Sequence, residues 1–328
     1  MTASTGEPLG RPRRLFAQLP VLVAAATLIV LLVLYWSIDP SALAATSTQS
    51  LVNEGAGAGL AAMGEAVIVL CGGLDLSVGA ILSLLNVVLA AQMHSSPGSE
   101  WLVSIEAVLA GIAVSAINGT LVAVLRLPSI LVTLAMSFFW AGVALLVMSQ
   151  PGGNIGFGFT QFLSGEYLGV IPNAVFLLAV AFVVWHLFKR TGFGRAMYAV
   201  GANTAGARAN GIPVARVSIA SYALAGFFYG LAALSLTAVS GSGDPNIGTP
   251  LVITTFAAVV LGGVALGGGR GDAAAALIGA YIIAVITDIL FVAGVPAFYT
   301  DIFNGGVLLI AVAAGSLFSR RRDLAGAL

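Results

Sequence analysis

Charged residues are scarce in this chain. Aspartate, glutamate, lysine and arginine together make up 8% of the 328 residues, whereas 59% are hydrophobic. Soluble domains carry about 25% charged residues, and a helix that crosses a membrane needs about 20 predominantly apolar residues. This composition excludes an ordinary soluble domain and predicts an all-α polytopic membrane protein.

Several reactive groups are also missing. Cys71 is the single cysteine, so an internal disulfide is excluded, and a formal net charge of zero gives no basic excess for nucleic acid. His94 and His186 are too distant for a metal site to be expected, and no nucleophile–base arrangement stands out. Lys189 is the only lysine, so the phosphate loop G-x-x-x-x-G-K-[ST] is absent. We therefore predict no enzyme activity, no metal and no cofactor in this chain, and we assign energy supply to a separate subunit.

Apolar runs separated by polar or glycine-rich turns predict ten spans. A polar tail at 1–18 precedes the first span, whose length exceeds the apolar core of a signal peptide. The transmembrane domain occupies 19–318, and a second tail occupies 319–328. The predicted spans are 19–38, 52–71, 76–92, 101–124, 129–148, 170–188, 217–239, 250–266, 273–293 and 300–318.

The basic residues test this count. All thirteen fall in alternate intervals: 11, 13 and 14; 126; 189, 190, 195, 208 and 216; 270; and 320–322. Lysine and arginine accumulate in the cytoplasmic loops of membrane proteins. An even number of spans with both termini in the cytoplasm places every basic residue inside, so this is the predicted orientation.

Polar side chains within the spans are the candidates for a solute path. They are Glu65, Asn86, Asn118, Thr133 and Asp288. Polar groups at mid-membrane are costly and normally face a wet cavity or one another. Bridging between helices is the competing interpretation for the two asparagines and the threonine, and Asp288 could be solvated near the outer surface. Glu65 could instead be protonated or hydrogen bonded between helices.

The most informative turn is Val69–Ala80, with the sequence VLCGGLDLSVGA. Gly72 and Gly73 interrupt a helix at low cost, and Asp75 precedes the next apolar run. Its side chain could accept the free N–H groups of that run, so we predict that Asp75 caps the third helix. The segment is a helix–break–helix hairpin, and its simplest interpretation is a tight turn between two membrane helices.

The centre of this hairpin, GGLDLSVG, resembles the signature of the permease subunits of ribose-type sugar ATP-binding-cassette importers. The residues that carry the match are Gly72, Gly73, Asp75, Ser77 and Gly79. Three further stretches are similar to the same family: 118–134, 198–212, and 257–263 with 267–271. The resemblance covers nearly the whole chain from about 50 to 315.

The interval 189–216 resembles the cytoplasmic loop that docks such permeases onto their ATPase. Its residues predict a short helix over 203–210 that starts at Asn203 or Thr204 and ends at Gly211. A lipid-headgroup anchor held by Lys189, Arg190 and Arg195 is the competing interpretation. The docking residues implied by the resemblance are Asn203, Thr204, Ala205, Arg208, Asn210 and Gly211.

The chain departs from the family pattern in two places. Family members often carry Glu-Ala-Ala in the docking loop, where this chain has Thr204-Ala205-Gly206. They tend to have Glu-Leu-Asp before the Ala-Val-Val run, where this chain has 252–256, VITTF. Any salt bridge from that loop glutamate to an ATPase is therefore absent.

The resemblance implies a permease of a binding-protein-dependent importer in the bacterial cytoplasmic (inner) membrane, which carries a monosaccharide or a similar small polar solute. The implied partners are a cytoplasmic ATPase that holds ATP and magnesium, a periplasmic or extracellular solute-binding protein, and a second permease copy in a homodimer or heterodimer. The alternative is an ion-coupled secondary transporter. In that protein Glu65 and Asp288 would be proton or sodium sites, and no docking loop would be needed.

Overall fold

The computed structural model describes residues 11–93, 97–169 and 171–296, together with 299, 302, 303, 305–307 and 309. Most of this part of the chain is helical. The helices up to the middle of the chain are α1 (Arg11–Ile38), a 3-10 turn (Pro40–Leu43), α2 (Ala45–Leu70), α3 (Val78–Gln92), α4 (Pro97–Leu125), α5 (Ser129–Val147) and α6 (Phe157–Ser164). A two-stranded hairpin, β1 (Glu166–Tyr167) and β2 (Ile171–Pro172), leads to α7 (Ala174–Arg190), α8 (Gly192–Ala202), α9 (Thr204–Ala209), α10 (Val214–Ser240), α11 (Leu251–Leu261) and α12 (Ala273–Val292).

Helix α10 lies at the centre of the bundle. It packs mainly on α4 and α2, and it also contacts α3, α6 and α8. Helix α2 is the other central element, because nearly every residue from Gly55 to Leu70 is buried. Helices α11 and α12 cover another side of α2, α1 lies against α12, and α5 packs on α3.

Small residues allow the two longest central helices to touch at their backbones. Gly111 of α4 faces Gly226 of α10, and a methyl group added at Gly226 would collide with the carbonyl oxygen of Gly111. Membrane helices gain no hydrophobic drive from lipid, so their association depends on close packing of this kind. The contact fixes the position of α10, which carries Tyr229, one of the polar side chains of the site described below.

Five described helices are long and apolar enough to cross a membrane. They are the segments Leu19–Ile38, Glu100–Leu125, Ser129–Val147, Val214–Ser240 and Ala273–Val292. Helices α7 and α8, bent by 78° at a short break, form a sixth if they are counted as one broken span. These helices confirm the predicted all-α polytopic architecture.

The count of ten spans and the cytoplasmic termini stay predictions. Residues 1–10, most of the predicted tenth span at 300–318 and the tail at 319–328 lie outside the described residues. Helix α1 begins at Arg11, within the predicted N-terminal tail.

The third predicted span, 76–92, agrees with α3 to within two residues, whereas α11 ends five residues before the predicted end of the eighth span at 266. Helix α3 has 15 residues and α11 has 11, which is shorter than the ~20 that a bilayer needs. Each follows a non-helical segment, 73–77 before α3 and 241–250 before α11. Glycine and proline in GSGDPNIGTP prevent the second segment from forming a helix. Side chains of α3 accept two of its backbone N–H groups and so hold it against the bundle.

Two helices were not expected from the sequence. Helix α6 lies within the polar, glycine-rich interval that follows α5, and α8 precedes the predicted docking helix. Both are short, so their apolar faces add little to the pattern of long apolar runs from which the spans were predicted.

Replacing Gly226 with alanine tests the backbone contact between α4 and α10. The added methyl group forces the helices apart, and we expect a loss of about 1–3 kcal/mol in stability, measured as a lower melting temperature of the purified chain. Gly142→Ala in α5 is the matched control, because nothing lies within 4 Å of the added atom. An unchanged melting temperature for Gly226→Ala would contradict the packing.

Candidate functional site

The start of α3 differs from the prediction for Asp75. Ser77 occupies the cap position, and its carbonyl oxygen accepts the N–H of Ile81 at 2.9 Å. Asp75 lies two residues earlier, where its Oδ1 accepts the backbone N–H of Ser77 at 2.9 Å and also the Ser77 hydroxyl. The prediction that Asp75 caps α3 is therefore wrong by two residues, because the short side chain closes a local turn onto Ser77 instead.

Glu65 joins this turn to two helices. Its Oε1 accepts the backbone N–H of Asp75 at 3.1 Å, and its Oε2 accepts the hydroxyl of Tyr229 in α10 at 3.1 Å. The side chains of Glu65 and Asp75 are fully buried, and among the described residues Asp75 Oδ2 has no hydrogen-bond partner. Glu65 is thus held between helices, which is one of the interpretations that its sequence position left open.

Helices α4 and α5 complete the network around the hairpin. Asn118 donates from Nδ2 to the Ser77 hydroxyl at 2.7 Å, and its Oδ1 accepts Trp140 Nε1–H at 3.0 Å. The hydroxyl oxygens of Thr133 and Ser129 accept the backbone N–H groups of residues 76 and 74, at 3.1 and 3.0 Å. Side chains of α2 and α5 therefore pair with the non-helical backbone of the hairpin, as does the Tyr222 hydroxyl of α10, which donates to the carbonyl of Leu74 at 3.3 Å. Asn118 of α4 instead holds the Ser77 side chain.

Asn86 forms a second, separate bridge. Its Oδ1 accepts the N–H of Asp244 at 2.6 Å, and its Nδ2 donates to Thr237 Oγ1 at 2.9 Å and to the carbonyl of Ser242 at 3.2 Å. Ser83, one turn earlier in α3, accepts the N–H of Gly248 at 3.0 Å. These bonds hold the non-helical segment 241–250 along α3.

The structure therefore divides the predicted path residues. Glu65, Asn118 and Thr133 meet around the hairpin, Asn86 belongs to the bridge at 241–250, and all four are fully buried. Asp288 is half-buried on α12, apart from both networks. Contact of any of these side chains with solute stays a prediction.

Tyr229 and Trp140 complete the network, and neither was predicted from the sequence. Each is one aromatic residue within a long apolar run, and its partner lies 164 or 22 residues away in the chain. Only the hydroxyl of Tyr229 and the indole N–H of Trp140 distinguish these side chains from the surrounding core residues.

The short helix predicted over 203–210 is confirmed as α9, and its docking role stays a prediction. Asn203 occupies its cap position, where Oδ1 accepts the N–H of Gly206 at 2.9 Å, and the chain turns away at Gly211 with φ +77°. Arg208 in its last turn is exposed. The helix thus presents a basic, accessible surface next to α8.

The turn between α11 and α12 holds the docking loop in place through two bonds. Tyr198 donates its hydroxyl to the carbonyl of Gly271 at 2.9 Å, and Lys189 forms a 2.6 Å ion pair with Asp272. Lys189 is therefore a weaker candidate for a lipid-headgroup anchor, because its ammonium group is already paired with Asp272.

The same loop also touches the hairpin. Gly72, at φ +88°, lies against Gly201 and Gly268, and Gly269 donates its N–H to the carbonyl of Leu70 at 2.9 Å. A side chain at Gly72 would strain the backbone, since this φ region favours glycine. The docking loop and the hairpin therefore form one continuous backbone contact.

Metal-ligating side chains are not clustered in the part of the chain that the structure describes. Its residues contain no group of three or more histidine, cysteine, aspartate or glutamate side chains that could hold an ion.

A polytopic bundle with discontinuous spans, a buried polar hairpin and an exposed loop tied to that hairpin defines a membrane permease. The chain belongs to the family described as branched-chain amino acid transport system / permease component, which matches residues 47–312. No solved structure matches the chain.

Curated relatives agree with this family. The ribose import permease protein RbsC of Bacillus subtilis (strain 168) is 34% identical over 295 residues, which cover 87% of this chain and 89% of the relative. The D-allose transport system permease protein AlsC of Escherichia coli (strain K12) is 32% identical over 297 residues, 89% of this chain and 90% of the relative. The probable ABC transporter permease protein y4mJ of Sinorhizobium fredii is 32% identical over 309 residues, 92% and 90% of the two chains.

These relatives are permease components, so the chain is a transport subunit and not an enzyme. They confirm the predicted family of sugar importer permeases. They also favour the permease interpretation over the ion-coupled transporter in which Glu65 and Asp288 would bind ions.

Substitution of Asp75 tests its structural role. Asparagine keeps the oxygen that accepts both Ser77 bonds, so Asp75→Asn should melt close to wild type, whereas Asp75→Ala should lose about 1–3 kcal/mol, because it leaves buried donors unpaired. Melting temperatures of the purified variants provide the measurement. Asp39→Ala is a matched control, since Asp39 makes the same pair of bonds to Ser41 at a more accessible turn and should cost less.

Two results would contradict this account of Asp75. One is an Asp75→Ala variant as stable as wild type. The other is an Asp75→Asn variant that is stable and well expressed but unable to transport, which would give the carboxylate a role in the transport cycle.

Proposed function

We propose that this chain is the membrane-spanning subunit of a bacterial importer, located in the cytoplasmic membrane with both termini inside, and that it carries a monosaccharide or a similar small polar solute inward. A separate ATPase, which binds ATP and magnesium, drives the cycle from the cytoplasmic side. An external binding protein delivers the solute, and a second permease copy completes the path. The names of the ribose and allose permeases support the substrate class.

The observation that carries this proposal is the continuous contact from the docking loop to the hairpin. Helix α9 is exposed and capped, and the loop that holds it touches the turns at 70–72 and 268–272. Movement imposed on α9 by an ATPase therefore reaches residues 73–77 through packed backbone and not through flexible side chains. This arrangement suits a subunit that receives mechanical work at its inner surface.

Within this proposal the buried polar residues have a defined place. Glu65, Asn118 and Thr133 hold the hairpin in one arrangement, and Asn86 holds the segment 241–250. We assign them to the moving parts that open and close the path, where exchange of hydrogen-bond partners accompanies the change between inward and outward states. Their contact with solute would occur only in a state in which these bonds have separated.

Charge reversal at Arg208 tests the docking surface. In the complex of permease, ATPase and binding protein, Arg208→Glu should reduce solute-stimulated ATP hydrolysis about tenfold, because repulsion or loss of a charge pair weakens the interface. The variant permease should fold normally, since the side chain is exposed. Arg126→Glu, an exposed basic residue outside the loop, is the matched control. Normal assembly and hydrolysis by Arg208→Glu would place docking elsewhere.

A further inference from the structure

A polar cleft of about 280 Å³ opens at the end of the bundle opposite the docking loop. It lies between the first half of α2, the end of α6 and the end of α10. Its volume is close to the lower end of the ~300–1,000 Å³ that is typical of small-molecule sites. The lining residues are Gln49, Ser50, Asn53, Glu54, Ser164 and Val239.

The wall of this cleft is held by two amide side chains. Gln49 Nε2 and Asn53 Nδ2 both donate to the carbonyl oxygen of Ser164, each at 2.7 Å. The Ser164 hydroxyl in turn donates to the carbonyl of Thr160 at 2.8 Å. The first half of α2 and the end of α6 are therefore fixed to one another before any solute arrives.

One acceptor in this wall lacks a donor. The Asn53 side chain is 8% exposed, and its Oδ1 is buried with no hydrogen-bond partner in the described part of the chain. A buried polar atom without a partner costs about 1–3 kcal/mol, so such atoms are rare unless something binds them. A rotation of the Asn53 amide is needed to turn this oxygen toward the cleft, where a solute hydroxyl would supply the missing donor.

The charge around the cleft is negative. Glu54 presents an exposed carboxylate to the cleft, and the lining contains no lysine or arginine. None of the thirteen lysine and arginine residues of the sequence falls in the intervals predicted to face outward. A cleft with carboxylate and amide oxygens but no basic group attracts O–H donors and repels anions.

We propose that this cleft is where the permease first binds its solute, and that it accepts a neutral, hydroxyl-rich molecule of about one sugar ring and rejects sugar acids and sugar phosphates. This inference rests on the proposed function and assigns its entry site. There the Glu54 carboxylate, and Asn53 Oδ1 once its amide has turned, accept hydrogen bonds from solute hydroxyls, while Val239 offers a small apolar wall. None of the residues that line the cleft is among the path candidates predicted from the sequence.

Protection from chemical labelling tests the cleft directly. Ser50 is exposed in the cleft, so Ser50→Cys in a Cys71→Ser chain, assembled with its ATPase, should react with an impermeant thiol reagent applied from outside. Ribose or allose at ten times its dissociation constant should slow this reaction about tenfold, whereas ribonate and phosphorylated ribose should not. Gln150→Cys, an exposed loop position outside the cleft, is the labelling control and should be unaffected.

A second variant distinguishes a role of Glu54 in solute binding from a general loss of structure. In the Ser50→Cys background, Glu54→Gln removes the charged acceptor, so the sugar concentration that gives half protection should rise about tenfold. Glu106→Gln makes the same chemical change at an exposed residue outside the cleft and should leave the protection curve unchanged.

Four outcomes would overturn the proposal. Wild-type complex that transports a sugar while Ser50→Cys shows no protection would move the entry site elsewhere and leave the proposed function intact. Equal protection by ribonate would refute the charge selection. Protection by the solute-free binding protein alone would make the cleft a protein docking surface. A wild-type complex with neither sugar uptake nor sugar-stimulated hydrolysis would refute the proposed function itself.

Discussion

The constraint on which the structure depends is the satisfaction of non-helical backbone inside a membrane. Residues 74–77 and 241–250 are not helical, yet the first segment lies within the bundle and the second is partly buried against α3. An unpaired N–H group that is buried there costs several kcal/mol. Thr133 and Glu65 supply acceptors to the first segment, and Asn86 and Ser83 supply them to the second. Many of the polar residues buried in the bundle are therefore present because two spans are interrupted.

This constraint also connects the docking loop with the centre of the bundle. The docking loop touches the backbone at 70–72, and the hairpin that follows is bonded to α2, α4, α5 and α10. A small displacement at the loop must be taken up by breaking or exchanging these bonds, because packed cores have discrete arrangements and do not deform smoothly. Within the proposed function, the interrupted spans are therefore the hinges of the bundle.

Local signals predicted the continuous helices and the docking helix from sequence. Apolar runs located α1, α4, α5, α10 and α12, and an asparagine followed by a glycine stop located α9. The breaks at Gly72 and at 241–250 were also visible. The capping register at Asp75 and Ser77 was not, because two short polar residues in DLS can each begin a helix. Pairing of Glu65 with Tyr229 joins positions 164 residues apart, which no local pattern can specify.

The most direct test of the account is the energy source of uptake. The full complex of this permease, its ATPase and its binding protein would be placed in proteoliposomes, and uptake of labelled ribose or allose would be followed with and without ATP on the ATPase side. The account predicts uptake that requires ATP hydrolysis and persists when gramicidin collapses proton and sodium gradients. Uptake that proceeds without ATP and stops when those gradients collapse would contradict it and restore the ion-coupled mechanism.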